Sequence, residues 1–574
     1  MLKHLYTLLV VLVGFVIFRA DNMGQAFSMI GAMFSGGSAS AQTGLLAQCL
    51  TPLTLFALAV GLVGSTPVLP LVCRKAEQQT GSVYACLQAL SYAGVLALLL
   101  VDILHLSAAS YVPFYLFPVL RWKNASEKLG YILFVGVIAT ICILPVAVMP
   151  WQTEKAVGNE QLASFPELWK EDGSFNTGIL NEFSDYFADH FGLRHEMITL
   201  NDQLTGTVLK TLDSSSVLLG KDDWLFYKST LADYTGAEPF TARQSYAAAH
   251  VLGLMQEYCE ENGIGFCFTI APNKNSLYGG QMPARYTAAS VRNAQLLQQQ
   301  MEQQNVRYVD LFKTLSDHEE QLYYRRDSHW NMRGAQLAAQ TLLKELKGSE
   351  AEFDSCINGK TSPHTGDLYE MVYPAGNETE QDTAYDFTYQ YDEKFHSADD
   401  ITIHTENSAA DGSIFVYRDS FGINLHPFLA QSYGNACFSR NMPYLLTAVT
   451  EEQPDVLLVE LVERNLNWLL ERAPEMPAPE RTVVPAADTG TSAKAQRKDS
   501  RMEGTFCLTG DLSGQRVDDD SPIYILAETE TYEASPCGEG TQPFTAYLPQ
   551  NVREQQLKAA FLSDGEWVFC ALAD

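Results

Sequence analysis

Basic residues are scarce in this chain. It has 38 lysines and arginines against 68 aspartates and glutamates, which gives a formal net charge of −30 at pH 7. Residues 1–123 hold six basic and three acidic residues, leaving 32 basic and 65 acidic residues in the remainder. An acidic surface repels phosphate backbones. We therefore expect no nucleic acid partner, and a neutral or cationic glycan fits more easily.

Cysteine motifs are also missing. Seven cysteines follow residue 150, and none of them forms a CxxC pair or has the spacing of a metal site. A zinc site is therefore not supported, and no metal or soluble cofactor is implied. Seven is an odd number, and the spacing allows one or two disulfides, above all among Cys507, Cys537 and Cys570.

Long apolar runs are concentrated in the first quarter of the chain. They cover residues 5–18, 50–72, 84–106 and 129–150. The last run contains no charged residue and is long enough to span a bilayer. The runs predict transmembrane helices within 1–123 and a transmembrane anchor at 124–150. The first run has the length of a signal-peptide core, but Arg19 and Asp21 behind it favour an uncleaved helix.

Basic residues beside these runs indicate their orientation. A pair at 74–75 favours a cytoplasmic loop before the third run, whereas a cluster at 121–128 favours one after it. The cluster directly precedes the fourth run and is therefore the stronger signal for the side on which that run ends. It places the chain after residue 150 outside the cytoplasm.

The remainder of the chain alternates between helical and strand patterns. Helical periodicity covers 243–262, 291–305 and 331–347, and short apolar runs of strand type cover 263–270, 306–312, 413–421 and 455–462. This alternation predicts a mostly parallel sheet covered on both faces, with functional residues at the carboxyl ends of its strands. A stretch rich in Pro, Ala and Thr at 472–500 predicts a linker, and 501–574 predicts a small β-rich domain, either a sandwich or a barrel.

Two polar stretches lie where these patterns change from strand to helix. Asp327-Ser328-His329 precedes the helical pattern at 331–347, and Ser420 follows the strand pattern that begins at 413. Ser and Asp are favoured N-cap residues, so helix capping explains either stretch alone. A serine nucleophile, however, needs a base within hydrogen-bond reach and a carboxylate to orient that base. Asp327, His329 and Ser420 supply one of each.

Six collinear motifs resemble the SGNH-hydrolase-like proteins of alginate O-acetylation (the AlgJ/AlgX type) and their DHHW relatives. They are FNTGILNEFSDYFADHFGLR (175–194), GKDDWLFY (220–227), APNKNSLY (271–278), RRDSHWNMRGA (325–335), YRDSF (417–421) and VELVERNL (459–466). The resemblance implies a three-layer α/β/α sandwich at 160–470, with a catalytic Asp327, His329 and Ser420. It also suggests that Lys274, Tyr278 and Arg464 bind the acceptor, although a structural ion pair equally explains Lys274 and Arg464.

The N-terminal segment has a resemblance of its own. Residues 5–36 and 60–72 look like the C-terminal end of membrane-bound O-acyltransferases, the MBOAT partners of such SGNH proteins. The segment within 1–123 holds only His4 and His105, and neither matches the MBOAT catalytic histidine. We interpret it as a tail that anchors the chain and docks onto a full-length MBOAT acyltransferase, the expected acyl donor.

Together these features predict a membrane-anchored, extracytoplasmic O-acyltransferase. It would transfer acetyl through Ser420 to hydroxyls of an exported or cell-wall polysaccharide. Two alternatives stay open from the sequence: a carbohydrate acetylesterase with the same three residues, and a non-catalytic scaffold that binds glycan or the MBOAT partner.

Overall fold

The computed structural model of the chain describes residues 140, 143–152, 161–170, 173–208, 212, 214–482 and 485–573. The transmembrane helices predicted within 1–123 and most of the anchor predicted at 124–150 lie outside these residues. Within the described ranges, no helix is long and apolar enough to cross a bilayer.

Helices follow the predicted positions closely. In the described ranges they are α1 (Ile179–His190), α2 (Arg194–Val208), α3 (Leu231–Thr235), α4 (Ala242–Glu261), α5 (Lys274–Leu277), α6 (Asn293–Gln303), α7 (Leu311–Ser316), α8 (Met332–Lys347), α9 (Asp367–Val372), α10 (Gly422–Ser432), α11 (Leu446–Glu452) and α12 (Trp468–Glu471). The three predicted helices are confirmed as α4, α6 and α8. Their ends have sequence causes: Thr241 and Gln244 form a capping box before α4, and Gly348 ends α8 in a left-handed conformation.

The strands fall into two large sheets and two two-stranded sheets. They are β1 (Val217–Leu219), β2 (Leu225–Tyr227), β3 (Gly265–Ala271), β4 (Tyr308–Val309), β5 (Ile357–His364), β6 (Glu380–Tyr385), β7 (Gln390–Tyr391), β8 (Thr402–Glu406), β9 (Ser413–Tyr417), β10 (Asn435–Ser439), β11 (Val456–Val462), β12 (Ala487–Asp499), β13 (Thr505–Asp511), β14 (Ile523–Leu526), β15 (Thr531–Ala534), β16 (Pro543–Pro549), β17 (Lys558–Ser563) and β18 (Glu566–Ala573). Strands β1 and β2 form one two-stranded sheet, and β5 and β6, with α9 between them in sequence, form the other.

The central sheet has the strand order β4-β3-β11-β9-β10-β8-β7. Its first five strands are parallel, and β8 and β7 extend it in antiparallel register. The predicted mostly parallel sheet is therefore present, with a mixed edge that the sequence patterns did not indicate. Because β3, β9 and β11 are parallel, the loops that follow them meet at one edge of the sheet.

Helices cover both faces of this sheet. Alternate residues of β3 point in opposite directions: Phe266, Phe268 and Ile270 pack against α4, α6 and α11, whereas Cys267 and Ala271 pack against α7, α8 and α10. The period of two is that of a strand buried on both faces. The result is the predicted α/β/α layering.

The C-terminal sheet corrects the predicted domain boundary. Its order is β15-β14-β17-β18-β12-β13-β16, and backbone hydrogen bonds between Ser535 and Thr545 join its two ends, so the sheet curls onto itself. Strand β12 runs through the second half of the predicted linker at 472–500. The linker prediction is wrong there because β12 is mostly exposed: only Ala493 and Ala495 are buried, which leaves little apolar alternation to detect.

The cysteines also differ from expectation. All seven cysteines in the described residues are free thiols, so the predicted disulfides among Cys507, Cys537 and Cys570 do not form. Cys537 and Cys570 are fully buried, and Cys570 packs as a small apolar residue in the core of the C-terminal sheet.

Candidate active site

Three residues predicted as a catalytic set lie together at the carboxyl edge of the central sheet. The His329 Nε2 atom is 2.8 Å from the Ser420 hydroxyl oxygen, and its Nδ1 atom is 2.7 Å from the Asp327 Oδ1 atom. Ser420 stands between β9 and α10, whereas Asp327 and His329 belong to the loop before α8. The parallel sheet thus brings residues 91 positions apart in sequence into hydrogen-bond contact.

Helix capping does not account for these residues. Asn331 is the N-cap of α8, and its side chain accepts a hydrogen bond from the Gly334 N–H. Helix α10 is preceded by Phe421 and has no side-chain cap, so the Ser420 hydroxyl does not serve that end. The capping roles that the sequence left open for Asp327, Ser328 and Ser420 are therefore not the roles these side chains have.

The Asp327 carboxylate is buried and fully hydrogen-bonded. Its Oδ1 atom accepts from the backbone N–H and Nδ1 of His329, and its Oδ2 atom accepts from His364 Nε2 at 2.8 Å and the Asp367 N–H at 2.9 Å. Burial alone would raise the pKa of Asp327, but the charges and hydrogen bonds of His329 and His364 hold it well below its ordinary value. Asp327 therefore stays ionised and holds both imidazoles.

His329 has the environment of a general base. Burial would lower the pKa of its imidazole, but the charge and hydrogen bond of Asp327, with the charge of Asp367, raise it above the usual 6.5. A hydrogen bond from Nδ1 to Asp327 leaves Nε2 directed at Ser420 as the acceptor. In this tautomer His329 can take the serine proton.

His364 and Asp367 are site residues that the sequence analysis missed. His364 ends β5 and stacks on Tyr324 at 4.0 Å between ring centroids. Asp367 begins α9 and accepts hydrogen bonds from the backbone N–H and hydroxyl of Ser328 at 2.7 and 2.6 Å. Both lie about forty residues beyond Asp327 in a region without a recognised motif, so no sequence signal connected them to it.

Lys274 contacts the protein backbone in place of the acceptor that the sequence suggested. It is buried, and its ammonium donates to the backbone carbonyls of Tyr324, Arg325 and Asp327 at 3.2, 3.0 and 2.5 Å. Burial lowers the pKa of Lys274 to about 8. The side chain holds the loop that carries Asp327, so the prediction of a substrate contact is corrected to a structural role, without the ion pair considered from sequence.

Tyr278 supports the same loop. Its hydroxyl accepts the Leu322 N–H at 2.8 Å, and its ring packs on Trp224 with 4.7 Å between centroids. Trp224 is itself buried. With its hydroxyl engaged in this way, Tyr278 is placed as a loop support.

Arg464 remains near the reacting atoms. Its guanidinium lies over the rings of Phe421 and Tyr227, at 5.4 and 5.6 Å from their centroids. Its positive charge acts to lower the pKa of His329, and it has no acidic partner at ion-pair distance in the part of the chain that the structure describes. Of the three predicted acceptor-binding residues, Arg464 is the one whose charged group is available beside Ser420.

The turn that carries Ser420 is held rigidly. The Asp419 carboxylate accepts the N–H groups of Phe421 at 2.9 Å and Val462 at 2.8 Å. A Cβ atom at Gly422 would lie 2.5 Å from the Arg418 side chain, so only glycine fits there. Among the described residues no acceptor contacts the Ser420 N–H, which leaves this group at the start of α10 as an oxyanion donor.

Asp327, His329 and Asp367 also meet the distance requirement for a metal site, because their donor atoms lie within 4.8 Å of one another. Their hydrogen bonds explain this proximity without a cation. Both oxygens of Asp327 and both of Asp367 already accept hydrogen bonds from neighbouring groups. The cluster is therefore accounted for as a hydrogen-bond network.

The layered sheet and its serine, histidine and aspartate place the chain in the broad class of serine-dependent α/β hydrolases and acyltransferases. Within that class, residues 217–435 match the family described as SGNH hydrolase-like domain, acetyltransferase AlgX. This stretch matches the AlgX-type acetyltransferase family, in agreement with the resemblance that its motifs predicted, and the match supports an O-acetyltransferase of the SGNH type.

Several solved structures are similar to part of the chain. The O-acetyltransferase domain of Pseudomonas putida AlgJ is 18% identical, covers 44% of this chain and 92% of its own, and has a TM-score of 0.31. A DHHW family protein from Eubacterium siraeum is 17% identical over 45% of this chain and 97% of its own, with a TM-score of 0.34. Pseudomonas aeruginosa AlgX is 14% identical over 62% of this chain and 94% of its own, with a TM-score of 0.31. A search of curated proteins gave no match.

Proposed function

We propose that this chain is a membrane-anchored, extracytoplasmic enzyme that transfers acetyl through Ser420 to hydroxyls of an exported or cell-wall polysaccharide. The observation that carries the proposal is the hydrogen-bonded series from Asp327 through His329 to Ser420, with distances of 2.7 and 2.8 Å. These distances are those of an assembled serine nucleophile and base. They speak against the scaffold alternative, which requires the three residues to be misaligned.

The first half of the reaction forms an acetyl-serine. His329 Nε2 takes the Ser420 hydroxyl proton while the serine oxygen attacks the acetyl carbonyl of the donor. The Ser420 N–H donates to the oxygen that becomes negative. The bond to the donor's leaving group then breaks, and that group takes the proton from His329.

The second half returns the enzyme to its starting state. A glycan hydroxyl gives its proton to His329 Nε2 and attacks the acetyl-serine carbonyl. The ester to Ser420 breaks, the serine oxygen takes the proton back, and the glycan leaves as its O-acetyl ester. Water in place of the glycan hydroxyl would make the same site an acetylesterase, so the acceptor decides between the two reactions.

Partners and location are part of the same proposal. The apolar runs before residue 150 would anchor the chain, and a full-length MBOAT acyltransferase would supply the acetyl group. The net charge of −30 favours a neutral or cationic acceptor and disfavours nucleic acid. Arg464, beside Ser420, is the residue we assign to contact with the acceptor.

The first prediction concerns the nucleophile. In full-length protein, Ser420→Ala should reduce the hydrolysis of a chromogenic acetyl ester by about a thousandfold or more, because no other group forms the acyl-enzyme. Ser432→Ala is the matched control: it ends α10, the helix that follows Ser420, and its hydroxyl donates to the Phe428 carbonyl at 2.8 Å. It should keep the wild-type rate.

The same assay separates the alternatives. With an oligosaccharide acceptor present, O-acetylated oligosaccharide identifies a transferase, whereas free acetate alone identifies an esterase. Melting temperature reports whether each variant is folded. A folded Ser420→Ala protein with the wild-type rate would contradict the proposal.

A further inference from the structure

Helix α1 exposes an apolar face. None of its twelve residues is buried, although its sequence alternates apolar and polar residues with helical spacing. Leu180 is 81% exposed, Phe183 46% and Phe187 37%. The helix also carries acidic residues at 182, 185 and 189. Exposed apolar faces of this kind mark sites of contact with a protein or a membrane.

The segment before α1 extends this face. Phe165, 65% exposed, contacts the rings of Phe183 and Tyr186 edge-on with centroids 6.2 and 5.2 Å apart. Trp169 and Phe175 form a second exposed pair with 5.7 Å between centroids. We call these residues the apolar patch: Phe165, Leu168, Trp169, Phe175, Leu180, Phe183 and Phe187.

The chain that follows α1 contacts the end of the uncharged run at 129–150. The Gly192 N–H, two residues after α1, donates to the Pro145 carbonyl at 3.1 Å, and the Leu193 N–H donates to the Gln152 side chain at 2.9 Å. A Cβ atom at Gly192 would be only 2.7 Å from the Pro145 oxygen, so the two backbones are in direct contact. If the run ends at the membrane surface, so does α1.

We infer that the apolar patch lies in the interfacial layer of the bilayer. Phe, Trp and Tyr side chains favour this layer, and the chain directly after α1 contacts the end of an uncharged run that suits the hydrocarbon interior. The acidic residues of α1 give no attraction to anionic headgroups, so insertion of apolar side chains supplies the binding. This inference rests on the membrane anchoring proposed above and goes beyond it.

The apolar patch is connected to the reaction site through packed elements. Helix α2 follows α1 and contacts α9, where the Ala375 N–H donates to the Thr199 hydroxyl at 2.9 Å just beyond that helix. Helix α9 begins with Asp367, whose N–H holds Asp327. The bilayer contact would therefore fix the orientation of the serine site relative to the membrane.

Photocrosslinking in nanodiscs tests this inference. The full-length protein is placed in phosphatidylcholine nanodiscs with p-benzoylphenylalanine in place of Val146, Leu180 or Ile401. Val146 lies in the predicted anchor, and Ile401 is the matched control because it is 63% exposed but directly precedes β8 of the central sheet. We expect lipid adducts at 146 and 180 and none at 401, with no increase at 180 when anionic lipid is added.

Each other outcome overturns one identifiable statement. Adducts at 146 without adducts at 180 would overturn the interfacial patch and leave the anchor intact. Absence of lipid adducts at both positions would overturn the anchoring on which the patch depends. Crosslinks from 180 to a protein in native membranes, without lipid adducts there, would replace the bilayer by a protein partner.

Discussion

A single carboxylate, Asp327, holds two imidazoles, and only one of them reaches the serine. His364 donates to Asp327 Oδ2 at 2.8 Å and has no contact with Ser420, so we assign it a positioning role. His364→Ala should lower kcat/KM for the chromogenic ester by about tenfold, the value of one charge-assisted hydrogen bond. His364→Gln, whose amide can donate in the same place, should restore most of the rate. Equal losses in both variants, or none in either, would contradict this role.

The protonation of His329 sets the pH dependence of the reaction. Only the neutral imidazole accepts the serine proton, and Asp327 raises the pKa of His329 above 6.5. Activity should therefore rise with pH through a midpoint above 6.5 and be lost below it. Asp327→Asn removes the charge that raises this pKa, so the midpoint should move to lower pH while the rate falls by roughly ten-thousandfold. A pH profile of kcat/KM for both proteins measures the two effects, and an unchanged midpoint would show that Asp327 does not tune His329.

At the scale of elements, the contact between α9 and the loop that carries Asp327 controls the site. Gly366 precedes α9, and a Cβ atom there would lie 2.2 Å from the Arg326 carbonyl oxygen and 2.9 Å from the Asp327 nitrogen. Gly366→Ala should push helix and loop apart, lowering the esterase rate and destabilising the fold by about 1 to 3 kcal/mol. Gly280→Ala, where a Cβ meets nothing within 4 Å, is the control and should change neither. The measurements are the ester assay and chemical denaturation. A wild-type rate and a wild-type free energy of unfolding for Gly366→Ala would show that helix and loop can move apart without destabilising the fold.

At the scale of the whole molecule, Arg481 joins the central and C-terminal sheets. Its guanidinium donates to Glu257 on α4 and to the buried Glu533 on β15, and His250 lies 2.8 Å from the same Glu533. Burial would raise the pKa of Glu533, but His250 and Arg481 lower it below 4.5. This stabilisation is present above pH 4.5 and is lost as the pH falls through the lowered pKa.

Arg481→Ala should therefore lower the melting temperature at neutral pH, because Glu533 stays buried with one partner fewer. The matched control is Arg516→Ala, which removes an exposed ion pair with Asp564 and should have almost no effect. Scanning calorimetry of the three proteins measures the change. Equal melting temperatures for all of them would mean that the two sheets are held together without Arg481.

Sequence patterns predicted the parts of the fold that bury regular apolar faces. The period of α4, α6 and α8 gave their positions within two residues, and the parallel sheet explained why Ser420 and His329 meet. Contacts between irregular segments had no such period. The spacing of residues does not encode the path of a loop. It therefore could not predict that the Lys274 ammonium lies inside the loop, or that His364 and Asp367 bind the Asp327 carboxylate. Strand β12 was missed for the related reason that it is mostly exposed.

The free cysteines have a consequence for the redox tolerance of the protein. Burial raises the pKa of Cys259, Cys267 and Cys437 to about 12. At neutral pH only on the order of one such thiol in 10⁵ is the thiolate that oxidants and disulfides attack. The described fold thus needs no disulfide catalyst to form, and these three thiols resist oxidation and mispairing in the oxidising surroundings proposed for it.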